Sequence, residues 1–140
     1  MKSLGIDFGE KRIGLAISDP DGRVAVPLAT LERRNDRSAL RQIAEIAREE
    51  RVGRFVLGEP VDLEGRRGEM AARARRFGER LGELTGLPVE WIDEALTSHE
   101  AAKRLRQAGG DPRREPARID ALAAQILLQD ALDRGDVKQS

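Results

Sequence analysis

Asp7, Glu59, Glu94 and Asp120 are the side chains best placed in this sequence to do chemistry together. Asp7 lies within Leu4-Gly5-Ile6-Asp7-Phe8-Gly9, among apolar neighbours where an unpaired charge is costly to bury, so a compensating group is expected. Glu59 ends one apolar run, Asp93 and Glu94 end another, and Asp120 sits among Ile119, Ala121, Leu122 and Ala123. Clustered carboxylates without thiolate or imidazole ligands suit hard cations such as Mg²⁺ or Mn²⁺, which prefer oxygen donors. The chain has no cysteine, and its one histidine, His99, falls in the first turn of an expected helix, where it reads as an exposed residue before a general acid or base. Two such ions about 3.5–4 Å apart can activate water and stabilise the leaving oxygen in a phosphodiester displacement. Taken singly, Glu59, Asp93 and Asp120 each also have a local reading: Glu59 at a loop start, Asp93 at a strand end, Asp120 near a helix start where the dipole favours an anion.

Cationic groups flank the first acid. In Asp7-Phe8-Gly9-Glu10-Lys11-Arg12-Ile13-Gly14, Gly9 lets backbone amides approach an anion and Lys11 or Arg12 can neutralise it; a plain tight turn fits the same residues. Arg66 to Arg80 holds six arginines against two glutamates, and Arg66, Arg67, Arg73 and Arg76 are candidates to contact a phosphate backbone. A second basic stretch runs from Lys103 to Arg118. Phe8, Phe55, Phe77 and Trp91 are the only aromatic residues and most read as core, so contact with backbone and shape is expected over base stacking.

Elements that would position these groups are legible in order. Ser3 to Phe8 and Arg12 to Ser18 read as strands, closed by Asp19-Pro20-Asp21-Gly22, and Arg23 to Leu31 reads as a third, with Pro27 arguing for an edge. Asn35 or Asp36 caps a helix to about Arg51, whose Leu40, Ile43, Ala44 and Ala47 share one face. Arg54 to Gly58 is a fourth strand ending at Glu59-Pro60, and Val61 to Gly68 is a loop. Met70, Ala74, Phe77, Leu81 and Leu84 mark a second helix stopping at Gly86 and Pro88. Val89 to Asp93 is a fifth strand; Thr97 with Glu100 forms a capping box for a third helix ending at Gly109-Gly110. Asp111 to Arg114 is expected to be mobile, and a last helix runs from Pro116 to about Leu132. The expected fold is α/β: three antiparallel strands, then two parallel ones, in a mixed sheet with helices on both faces. Residues 1–133 form one domain and 134–140 a polar tail.

Composition bounds the partners. With 140 residues, 39% apolar and 36% charged, the chain can bury one core. The 25 basic and 25 acidic residues cancel, so any polyanion must be met by local patches. Arginine supplies 21 of the 25 cations, a bias that surface ion pairing or codon composition explains as well as phosphate binding. The absence of cysteine excludes disulfide scaffolds and thiol nucleophiles, and no run approaches a membrane span, so a cytoplasmic location is expected.

Together, Leu4 to Ser18, Val56-Leu-Gly-Glu-Pro60, Asp93-Glu-Ala-Leu-Thr97 and Ile119-Asp-Ala-Leu-Ala-Ala124 resemble the YqgF/RuvX family of ribonuclease H-like proteins, described as Holliday junction resolvases or pre-16S rRNA nucleases. The resemblance spans about Leu4 to Leu132. It implies a ribonuclease H-like fold, metal-dependent phosphodiester cleavage in the bacterial cytosol, and maturation of the 5′ end of 16S rRNA. By position it makes Asp7, Glu94 and Asp120 the catalytic acids and the ligands of Mg²⁺ or Mn²⁺. Two departures stand out: Glu59 occupies a place where the family usually has leucine, and Ala95 one where it has arginine. Related RuvC-type resolvases carry an acid near Glu59, which makes it a possible extra ligand.

The expected partner is nucleic acid: structured RNA such as pre-16S rRNA, with the small-subunit precursor, or branched DNA. Neither a monomer nor a homodimer is selected by the residues. Two other readings stay open, a non-catalytic RNA-binding assembly factor and a phosphotransferase of the actin and sugar-kinase type; the second would need two such domains.

Overall fold

The computed structural model describes residues 1–60, 68–94 and 97–139, the side chains of 93–94, 97–99 and 135–139 excepted. Five strands form one sheet in the order β3-β2-β1-β4-β5. β1 (Ser3–Phe8), β2 (Arg12–Ser18) and β3 (Ala25–Glu32) are antiparallel neighbours, whereas β4 (Arg54–Pro60) runs parallel to β1 and β5 (Val89–Glu94) parallel to β4. This is the expected mixed sheet, with β3 and its Pro27 at an edge, where a missing donor is tolerated.

Period-two alternation divides the sheet into two faces. Leu4, Ile6, Phe8, Ile13, Leu15, Ile17, Phe55 and Leu57 pack with α1 (Asp36–Glu49) and α2 (Glu69–Thr85) in the larger core. The opposite face is almost side-chain free at Gly5 and Gly14, which lets α4 (Pro116–Gln139) lie close. There Ala16, Val56 and Ile92 pack with Ala124, Leu127 and Leu128. α3 (Thr97–Gln107) packs against α4.

Local chemistry sets several boundaries. Asn35 caps α1, its side chain accepting from Ser38 N at 2.8 Å, and the helix ends at Glu49, before Arg51, which adopts a left-handed φ of 56°. β3 begins at Ala25 rather than Arg23, because the Asp19 carboxylate accepts the N–H groups of Arg23 (2.7 Å) and Val24 (3.0 Å) and keeps them in the turn. Glu94 belongs to β5, one residue past the expected end. Asp111 to Arg114, expected to be mobile, forms a hydrogen-bonded turn in which Asp111 Oδ1 accepts Arg113 N and Glu115 Oε2 accepts Asp111 N. The expected loop at 61–67 and the side chain of the Thr97 capping box lie outside the described residues.

One expectation is corrected. α4 continues to Gln139 through the segment assigned to a polar tail. A single interior glycine, Gly135, costs only about 1 kcal/mol and does not stop a helix, and the Arg134–Asp130 pair at 3.0 Å supports the turn before it. On its sheet side, α4 also holds the start of β3: Gln129 Oε1 accepts Ala25 N, Gln125 Nε2 donates to Ala25 O, and Gln129 Nε2 donates to Arg23 O, all within 3.0 Å.

Candidate active site

Asp7 is the fifth residue of β1 and lies directly across the antiparallel ladder from Gly14 of β2. Antiparallel partners stand about 4.5–5.5 Å apart at Cα. Above Gly14 the backbone of α4 comes so near that an added Cβ would fall 1.9 Å from the Asp120 carbonyl oxygen and 3.0 Å from Ala121 N. Gly14 is therefore the point where the second turn of α4 rests on the sheet, and it brings Asp7 and Asp120 to one place from positions 113 residues apart in the sequence. Asp7 is buried, with 8% of its surface exposed.

Arg12 opens β2 beside this contact, and its Nε donates to Asp120 Oδ2 at 2.6 Å. Arg12 was expected to contact phosphate; here its guanidinium also fixes an acid of the site. The β1–β2 turn is closed by Gly9 N donating to Arg12 O at 3.0 Å, and an added Cβ at Gly9 would fall 2.5 Å from that same oxygen. Lys11 is exposed at the tip.

Arg33, which sequence reasoning missed, braces this turn from the position just after β3. Its N–H donates to Lys11 O at 2.9 Å, and its side chain donates to Glu10 O and to Asp36 Oδ1. The same guanidinium covers the Phe8 ring, 4.6 Å from its centroid. No local signal marks this arginine among 21, since its partners lie on three other elements.

Glu94 stands at the carboxyl end of β5, in register with Pro60 and two residues beyond buried Ile92; its side chain lies outside the described residues. Glu59 is in register with Asp93 and two residues beyond Leu57, on the strand parity of the α1/α2 core. It is 4% exposed and accepts from Arg75 Nη2 at 2.7 Å, while that guanidinium lies over Trp91, 4.4 Å from the ring centroid. Glu59 and Asp7 thus occupy opposite parities of the sheet. On α2, Arg73 is half-buried and Arg76 exposed, and neither forms an ion pair among the described residues; Arg66 and Arg67 lie outside them.

Among the described residues, no three His, Cys, Asp or Glu side chains form a ready metal cage. The acids that do converge present only carboxylate oxygens, a donor set that fits Mg²⁺ or Mn²⁺ and disfavours softer ions.

The sequence model of the RuvX family, described as Holliday junction resolvase, matches residues 1–134. The chain belongs to this family. A protein of Chloroflexus aurantiacus named "Putative pre-16S rRNA nuclease" is 44% identical over 130 residues, covering 93% of this chain and 85% of that protein. One of the same name from Anaeromyxobacter sp. strain K is 44% identical over 134 residues, covering 96% and 98%. The fold is that of the RuvC-like resolvases. A structure of T. thermophilus RuvC in complex with Holliday junction substrate aligns with a TM-score of 0.61 at 17% identity, covering 97% of this chain and 96% of that one. The fowlpox virus resolvase with its Holliday junction DNA aligns at 0.58 and 12% identity, covering 96% and 98%. Among the described residues, no helix of this RuvX family member is long and apolar enough to cross a membrane.

Proposed function

We propose that the chain is a metal-dependent nuclease that hydrolyses phosphodiester bonds in maturing the 5′ end of pre-16S rRNA, in the cytoplasm. The observation that supports this reading is the seating of the Asp120 backbone on Gly14 opposite Asp7, which brings two residues remote in sequence to neighbouring positions. The 44% identity over nearly the whole length of the pre-16S relatives supports the substrate.

Asp7, Glu94 and Asp120 would hold Mg²⁺ or Mn²⁺, whose chemistry when bound is Lewis-acid stabilisation of phosphoryl oxygens and a more acidic water. Asp7 offers its oxygens from a rigid, buried strand, so little reorganisation is needed to present them. Arg12 orients Asp120 through its Nε bond. Gly9 and Lys11, with Arg73, Arg76, Arg66 and Arg67 as further candidates, supply contacts to the phosphate backbone, the sequence-independent part of nucleic-acid affinity. Glu59, bonded to Arg75 and on the opposite strand parity, supports the rim as a structural acid and is not a ligand in this reading.

The test is a metal titration of cleavage on a pre-16S 5′ fragment and, separately, on a four-way DNA junction. Wild type should cut the RNA with Mg²⁺ or Mn²⁺. Asp7→Asn and Asp120→Asn should each lose at least about a hundredfold, beyond the 10- to 100-fold usual for residues one step removed from a metal. Equal cleavage by wild type and Asp7→Asn would sink the site. Preference for the junction would favour the second reading, a Holliday junction resolvase, which the family description and the RuvC fold match support.

A further inference from the structure

On the sheet face opposite α4, α1 and α2 leave a long groove between them. Two hollows of about 640 Å³ each meet there, sharing Arg41 and Leu84 in their walls. Val52 and Leu87 close the groove just before β4 and β5 begin, whereas Glu59 and Glu94 stand at the far ends of those strands. Along β4 that separation is about 20 Å at 3.3 Å per residue.

The floor is apolar. Leu40, Ala44 and Ala47 come from α1, and Leu84, which is 60% exposed, projects from α2. The walls are cationic: Arg37, Arg41, Arg48 and Arg51 from the α1 side face Arg80 of α2, against only Glu45 and Glu83. None of these five guanidiniums makes an ion pair among the described residues, although many other arginines of the chain are paired.

Chemistry narrows the occupant. A phosphate backbone is bound by cations and hydrogen-bond donors and gains nothing from a floor of leucine and alanine, while the two glutamates would repel it. An amphipathic helix with leucines on one side and acids on its flanks satisfies floor and walls together, the helix-in-groove mode. The 14 residues of α1 give a wall about 21 Å long, enough for about four helical turns of a ligand.

We propose that the α1–α2 groove docks an acidic amphipathic helix of a partner protein. The groove lies on the α1/α2 side of the sheet and the acids on the α4 side, so a RuvX family member can be recruited by one face while its acids stay open on the other. Charge steers the encounter, and burial of Leu84 and its neighbours supplies specificity.

The test uses the full chain and a fluorescein-labelled synthetic peptide of about 14 residues, the length of the wall. The peptide carries leucines at i, i+4 and i+7 with glutamates between them, and anisotropy reports its binding. Binding in the micromolar range that weakens with salt is expected, as is a Kd raised about tenfold or more by Arg41→Glu and by Leu84→Glu. Both positions are solvent-facing, circular dichroism checks folding, and Arg41→Ala and Leu84→Ala serve if either charge-reversed protein unfolds. Phosphodiester cleavage should be unchanged in all of them. Three results each overturn the proposal: no binding up to about 1 mM, the weakest affinity worth calling specific; equal binding of a scrambled peptide of the same composition; or displacement of the peptide by a structured RNA whose own affinity falls with Arg41→Glu.

Discussion

Arg12 and Asp120 are bonded at 2.6 Å, Nε to Oδ2, although 108 positions separate them. The bond ties the first residue of β2 to the second turn of α4, so the helix that supplies one acid is held by the strand next to the other. The Arg12 side chain is about one-third exposed and Asp120 less so, which places the pair between a screened surface bridge and a buried one. A double-mutant cycle of Arg12→Ala and Asp120→Asn, read from urea midpoints at pH 7, should give a coupling of about 1 kcal/mol. A coupling near zero would mean that solvent screens the pair and Asp120 is positioned by its backbone alone.

Gly14 and Gly53 offer a comparison of close approaches. At Gly14 the obstacle to a Cβ is the backbone of α4; at Gly53 it is the flexible Met1 side chain, 2.8 Å away at Cγ. Gly14→Ala should therefore cost about 3 kcal/mol or more and abolish cleavage, while Gly53→Ala should cost less than about 1 kcal/mol. Thermal or urea denaturation of the two variants checks the order, and a tolerated alanine at 14 would mean α4 is not seated there.

Arg75 joins Glu59 to Trp91, the only tryptophan in the chain, so its removal has an optical signature. Arg75→Ala should destabilise by about 2 kcal/mol, from a lost charged hydrogen bond to a buried acid and a lost cation–π contact. The Trp91 emission should shift to the red as water reaches the exposed ring face. Arg75→Lys keeps the charge without the planar fork and should fall between. An unchanged spectrum in Arg75→Ala would remove the stacking from the account.

Asp19 gives the expected acid-side behaviour. The Val24 and then the Arg23 N–H groups hold its carboxyl below the ordinary value of 3.8, so folding favours the charged form. Its contribution is complete above that value and is lost as pH falls through the lower folded value. Glu115 acts in the same sense, held down first by the Arg118 guanidinium and then by Asp111 N–H. Asp19→Asn keeps an acceptor but not the charge, so its stability deficit against wild type should shrink between about pH 5 and pH 2. A deficit constant across that range would place the role of Asp19 in shape rather than charge.

The succession of strands and helices along the chain was legible because it depends on local signals. Apolar runs bounded by Asp19-Pro20-Asp21-Gly22 or Gly86-Leu87-Pro88, and a cap such as Asn35, act within a few residues of where they are written. Asp7 was legible as an acid among apolar neighbours, and it is buried in β1. What escaped is what needs the third dimension. Nothing in the string says that Gly14 admits a helix backbone from 106 positions away, that Arg33 braces the first turn, or that Glu59 faces the layer of Arg75 and Trp91. Gly135 and the polar residues around it read as an ending in the sequence, whereas the backbone of α4 runs on to Gln139.

The glutamines of α4 have a consequence for how copies of this protein meet. By taking the N–H and C=O of Ala25, Gln129 and Gln125 stand in for the neighbour that the outermost strand lacks, and two residues further on Pro27 has no N–H to offer. An approaching chain seeking to extend the sheet at Ala25 finds these groups already engaged, so strand pairing at that point of the border is blocked. Side chains of a helix here perform the protective task that other sheets leave to charged residues or a covering loop.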